Sequence, residues 1–228
     1  MSIDRASLQS VDLSSPSPVS RYLSQTAAVC PFIEPSARAG LLFASELSPD
    51  CRTASDLHPR LFEQLIPRIE QFRDHRRSLP DKQHRLLVCY CVLIHLQPSL
   101  DADAVRLLTW PNWVALLLKQ LYTPKEIVFG FVRKHFAERS SFGPPVPIAP
   151  FHAVIIRSRV VGTDHRFFTG NQPLLAAMME ADDDGADVHA AALDNVPDTR
   201  DPQAMREAGY FERLRQRSLK MLSERPAE

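Results

Sequence analysis

The sequence predicts an α+β fold: a single domain with a mixed or antiparallel sheet of at least three strands, flanked by helices. Three observations carry this. Leu57, Leu61, Leu65, Ile69 and Phe72 recur at helical spacing. Arg85–Leu96 and Phe151–Val161 are short runs rich in β-branched and aromatic residues, bounded by polar or Pro-bearing segments. Helical and strand stretches alternate irregularly, which does not fit a regular βαβ succession.

Taken in order, residues 1–17 hold Ser, Pro and Asp with little to bury and read as a disordered tail. The core domain is expected over 18–181. Val19–Ala28 suits a short helix, Cys30–Pro35 a loop, and Gly40–Leu47 a strand. Asp56–Phe72 is helical, with Pro67 expected to kink or split it. Asp74–His84 reads as a polar turn region. Arg85–Leu96 is a continuous apolar run, so it is expected at the sheet centre, covered on both faces. Asp101 or Asp103 can cap the next helix, interrupted at Trp110-Pro111 and resumed over Val114–Leu121.

Glu126–Arg133 reads as a strand with a bulge at Gly130, and Thr123–Glu126 fits a capping box equally well, so strand and helix stay open there. Phe151–Val161 is a strand and Gln172–Glu180 a short helix. Residues 182–198 form an acidic linker. A C-terminal helix is expected over Asp201–Leu222, within 199–228, with Thr199 or Asp201 as its cap.

Composition narrows the function classes. The 228 residues suffice for one large domain, with 44% apolar and 24% charged residues, as in ordinary globular proteins. Lys plus Arg equals Asp plus Glu at 27 each, which argues against binding nucleic acid by neutralising phosphates and gives no pull toward an anionic membrane. Seven glycines supply neither a phosphate-binding loop nor a dinucleotide fingerprint. The N-terminus lacks the apolar core of a signal peptide, and the longest apolar run, Leu86–Leu96, is about half of the ~20 residues a membrane span needs. Four scattered cysteines, Cys30, Cys51, Cys89 and Cys91, read as reduced thiols of a cytoplasmic protein.

The candidate chemistry gathers in Pro144–Phe168, where His152, His165, Arg157, Arg159 and Arg166 surround one apolar run. A neutral imidazole at His152 can ligate iron, and the alternative is a hydrogen-bonded core histidine. Arg157 and Arg159 alternate along the expected strand and would share a face; paired guanidiniums suit carboxylates, or surface ion pairs. His165, in a turn beside Asp164, can serve as a second ligand or as half of a general acid–base pair, or be a plain turn residue. Cys30 offers a thiolate or a structural thiol. The acidic run Glu180–Asp187 lacks the final bidentate Glu of a calcium loop.

The segment VCPFIEPSARAGLLFASEL at 29–47 resembles a signature of the YqcI/YcgG-like bacterial family. The strand-like RLLVCYCVLI, a helix bearing Trp110 or Trp113, the Pro150-Phe151 strand start and an Arg-rich C-terminal helix follow in similar order. Pro145-Val146-Pro147 matches a segment of a related group of uncharacterised bacterial proteins that also share VCPF. The resemblance spans roughly 29–180, and its specific pieces are the CPF and PVP segments. It implies a haem-dependent oxidoreductase of natural-product biosynthesis, oxidising nitrogen by N-hydroxylation or a following N–N bond-forming step. The substrate implied is an amine or guanidine derived from arginine. Haem b would be ligated by His152, with His165 second and Cys30 as a further candidate, and Arg157 and Arg159 would hold propionates or a substrate carboxylate. Arg157-Ser158 stands where the family pattern has His-Pro. That departure favours an alternative, a non-catalytic partner that has lost the ligand and supports a pathway enzyme.

Overall fold

The computed structural model describes residues 8–109, 113–139, 144–168, 171–190, 192–195 and 201–223. The chain runs through β1 (Gln9–Ser10), α1 (Pro18–Ala27), α2 (Ile33–Arg38), β2 (Leu42–Leu47), α3 (Ala54–Ser78), α4 (Lys82–Leu87), β3 (Cys89–Ile94), α5 (Asp101–Leu107) and α6 (Trp113–Tyr122). It continues through β4 (Ile127–Val132), β5 (Glu138–Arg139), β6 (Pro145–Val146), β7 (His152–Ser158), α7 (Val161–Asp164), α8 (Gln172–Met179), α9 (Pro202–Glu207) and α10 (Tyr210–Ser223). Five strands form one mixed sheet in the order β1-β2-β3-β7-β4, and β5 pairs with β6 in a separate ribbon. The expected single α+β domain is what the chain folds into. No helix among the described residues is long and apolar enough to cross a membrane.

Strand pairing explains the centre. β3 is buried at every position and lies between β2, parallel to it, and β7, antiparallel. Its even-numbered residues Tyr90, Val92 and Ile94 join Val154, Ile156 and Phe129 in the main core. Across from them, α3 contributes Leu57, Leu61, Leu65, Ile69 and Phe72, all fully buried. Cys89, Cys91 and Leu93 point to the opposite face, as two-residue periodicity demands, and meet Tyr22, Leu23 and Ile33 of α1 and α2.

Several expectations need correction. The tail is ordered from Leu8 onward: Gln9 and Ser10 pair with Ala44 and Phe43, giving β2 a hydrogen-bonded neighbour on its outer side. The Cys30–Pro35 loop yields to α2 from Ile33. Arg85–Leu87 belongs to α4, because Asp81 accepts the His84 N–H (2.9 Å) as an N-cap, and the strand starts at Cys89. Pro67 neither ends nor splits α3, which runs for 25 residues through Pro59 and Pro67. Of the two readings at 123–133 the strand holds, as β4; Thr123 caps no helix, and a 3₁₀ turn over Thr123–Lys125 with no side-chain cap precedes the strand. Gly130 makes no bulge and sits in register opposite Ile155. The C-terminal helix is broken at Gly209, whose φ of +60° is left-handed, so α9 and α10 are separate. The Trp110-Pro111 interruption, residues 1–7 of the tail and the Thr199 cap lie outside the described residues.

The acidic stretch after α8 is bound to the core rather than a solvated linker. The Asp183 carboxylate is buried and paired with Arg73 (2.7 Å) and Arg76, two guanidiniums one turn apart on α3. His189 is 1% exposed, its two ring nitrogens against the hydroxyls of Tyr122 (3.0 Å) and Tyr210.

Candidate functional site

Register places three rows of side chains on the face of the sheet that carries Cys89. They are Cys89–Arg157–Val128, Cys91–Ile155–Gly130 and Leu93–Ala153–Val132. Helices α1 and α2 cover the β2–β3 half. Over the β7–β4 half a cavity of about 550 Å³ opens, floored by Cys91, Ile155 and Gly130. Gly130 helps to make the space: a Cβ there would meet Ile155 Cβ at 3.4 Å, an ordinary contact, and would fill part of the floor. The cavity also reaches around β4 to Thr109 and Lys119, on the side of α5 and α6.

Arg157 stands at one end of the floor. Asp164, fully buried, holds it bidentately at 2.8 and 2.5 Å, and Nη1 also donates to the Ser158 carbonyl (3.0 Å). The guanidinium carbon lies 4.0 Å above the Phe32 ring. The fork and the ring together fix a planar cation at the cavity wall. Arg133 is fixed in a similar manner. Its Nε donates to Glu138 (2.7 Å), its Nη1 to Thr109 Oγ1 (2.6 Å), and its Cζ lies 3.6 Å over Phe136.

Lys119 is 7% exposed, with Nζ 5.8 Å from the ring centroids of both Phe131 and Phe168. Burial among these groups lowers its pKa to about 8. The floor thiols behave oppositely. Burial pushes Cys89 up to about 12 and Cys91 higher still, so both are neutral apolar surface. Cys30 is half-buried at the wall, its N–H closing α1 on the Thr26 carbonyl (2.8 Å).

The structure brings only some of the expected site residues together. Arg157 and Cys30 line the cavity. His152 does not: it leaves the opposite face of β7, is 1% exposed, accepts the Lys134 N–H on Nδ1 (3.1 Å), and has Nε2 3.5 Å from Asp101. Burial lowers its pKa, the nearby Asp101 opposing. Arg159 does not share a face with Arg157, because the strand ends at Ser158. Its guanidinium instead closes the end of α8 on the carbonyls of Met178 (2.7 Å) and Ala181 (2.6 Å). Asp164 is a positioning group for Arg157 and also accepts the Val160 N–H (2.6 Å), while His165 is exposed and no hydrogen bond joins the two among the described residues. A haem ligated by His152 and held by Arg157 and Arg159 does not fit this arrangement, because the three side chains face three different environments.

Sequence reading passed over Lys119, Arg133 and Glu138. Lys119 had a visible signal, a single cation inside the apolar stretch VALLLKQLY of α6. Arg133 and Glu138 had none, since their pairing forms only where the chain turns after β4.

No family model, curated protein or solved structure matches the chain.

Proposed function

We propose that the chain binds an anionic ligand with an apolar body in this cavity, its acidic group directed to the cations of the wall. The observation that carries the reading is the charge of that wall. Among the described residues that line the cavity, Lys119, Arg133, Arg139, Arg157 and Arg166 stand with one carboxylate, Glu138. Asp164 offsets Arg157 from behind, and among the described residues the lining still carries more cations than carboxylates. Aromatic and aliphatic walls keep the local dielectric below that of water, so the attraction for an anion is strengthened.

The same surplus disfavours a guanidinium substrate of the kind expected for arginine-directed N-oxidation. A protohaem, with its propionates, belongs to the favoured class as an apolar-bodied anion. Of the donors expected for it, Cys30 is the one on the wall. With Asp164 committed to Arg157, an acid–base pair of His165 and Asp164 has no support, and the reading is of binding.

Titration with anilinonaphthalene sulfonate, an aromatic anion, tests it. One saturable site is expected, weakened by added salt. Lys119→Met and Arg133→Met should each weaken it about tenfold, as loss of a charge-assisted contact does. Neutral phenylnaphthylamine binding as tightly as the anion, with anion affinity unchanged in both variants, would sink the reading. Hemin added in the same assay separates the narrower case, whose thiolate-type spectrum would vanish in Cys30→Ser.

A further inference from the structure

β4 is the last strand of the sheet, and among the described residues no strand pairs with its outer edge. In an antiparallel ladder, residues alternate between those that exchange both main-chain bonds with the neighbour and those that turn both groups away. The Arg159 N–H donates to the Glu126 carbonyl (2.9 Å), which fixes the parity. Val128, Gly130 and Val132 face β7, while Ile127, Phe129 and Phe131 face outward. The far side of the sheet gives the same answer independently. The N–H groups of Cys89 and His95 donate to Leu41 and Leu47, so odd-numbered β3 residues bond toward β2 and even-numbered ones toward β7. Their partners there, His152, Val154 and Ile156, are the β7 residues that β4 does not use.

Phe129 and Phe131 send their rings to the core side, stacked at 6.3 Å, yet both line the cavity. Among the described residues, neither the N–H nor the carbonyl of either has a hydrogen-bond partner, although Phe129 is only 2% exposed. Buried main-chain groups without partners are rare, and an open edge of this kind is a template for one more strand. Ile127–Phe131 spans about 13 Å at the usual rise, the reach of four or five extended residues.

We propose that the outer edge of β4 binds a short extended peptide carrying an acidic side chain. Its amides pair with Phe129 and Phe131, and its carboxylate meets the cations of the wall. This names the ligand class for the cavity and rests on the anion-binding reading above. Charge complementarity selects an acidic strand over a basic one, and main-chain pairing selects a peptide over an anion without amides.

A capped tetrapeptide of valine and glutamate, added to the full chain, tests it by residue-resolved amide exchange and by titration. Binding should slow exchange at Phe129 and Phe131 about tenfold or more, with little change at Val128, Gly130 and Val132, already bonded to β7. Methylating the peptide's alternate amide nitrogens should weaken binding about tenfold, and replacing glutamate by glutamine should weaken it as well. Equal binding of the methylated peptide, or protection that appears away from β4, would overturn the inference. So would absence of peptide binding while anilinonaphthalene sulfonate still binds, with the anion site left standing. Loss of binding by both probes would remove the anion site too.

Discussion

His152 and Arg157 are separated by an odd number of positions along β7, so their side chains leave opposite faces of the sheet. That parity was readable in the sequence as soon as the strand was recognised. It already separated the expected iron ligand from the expected propionate holder. What was not readable is where the strand ends: Arg159 falls one residue past it, and its partners on α8 come from distant sequence. His152 is therefore a packing residue with a specific bond to the Lys134 N–H. His152→Ala should leave anilinonaphthalene sulfonate binding within about twofold of the parent, while urea unfolding loses about 1–3 kcal/mol for the amide left buried without a partner. A tenfold loss of affinity in a variant that remains folded would return His152 to the site.

At the scale of elements, local pattern did most where an element's own residues decide it. The spacing of Leu57 to Phe72 located α3, because a stripe of that kind has to be buried against something. Pro67 does not break α3. An internal proline costs roughly 3 kcal/mol in an isolated helix, and here burial of five large apolar side chains against the sheet offsets it. The acidic stretch after α8 shows the converse limit. Its composition is that of a solvated linker, and nothing local reveals that Asp183 meets Arg73 and Arg76 from 107 to 110 positions away. Those guanidiniums, at 4% and 3% exposure, depend on that carboxylate, which they hold below the usual carboxylate range. Asp183→Asn should thus destabilise by about 3–5 kcal/mol, the usual result of removing one partner from a buried pair. Chemical denaturation measures it, and a loss below 1 kcal/mol would mean that the segment is not a structural clamp.

For the molecule as a whole, a net charge of zero says nothing about where charge is concentrated or where protons bind. The described lining of the cavity carries more cations than carboxylates within a neutral chain, and the far side of the main core holds a buried proton-binding group. Tyr122 donates its hydroxyl proton to Glu70 Oε1 (2.8 Å), so its oxygen must accept from His189 Nε2. His189 Nδ1 is then the lone-pair nitrogen and accepts from Tyr210. A charged imidazole would carry hydrogens on both nitrogens and force the Tyr210 hydroxyl to reverse. Burial first of all, and the Arg73 charge as well, lower the His189 pKa from 6.5 to about 4, with Asp187 opposing. His58, His75 and His152 are lowered as well, each chiefly by burial. Between pH 6.5 and about 4 the unfolded chain therefore binds more protons at these imidazoles than the folded one does. Their contribution to stability is complete above 6.5 and is lost as pH falls through the window. Glu63 and Glu70, raised by burial, work in the opposite sense near the acid end. For His189 alone the loss is on the order of 3 kcal/mol, at 1.36 kcal/mol per pH unit. Urea unfolding in steps from pH 7.5 to 4 should show stability falling with acid, and His189→Gln should flatten the slope by nearly one proton while lowering stability at pH 7.5. An unchanged slope in the variant would assign the acid sensitivity to the other imidazoles and overturn the account of the Tyr122–His189–Tyr210 network.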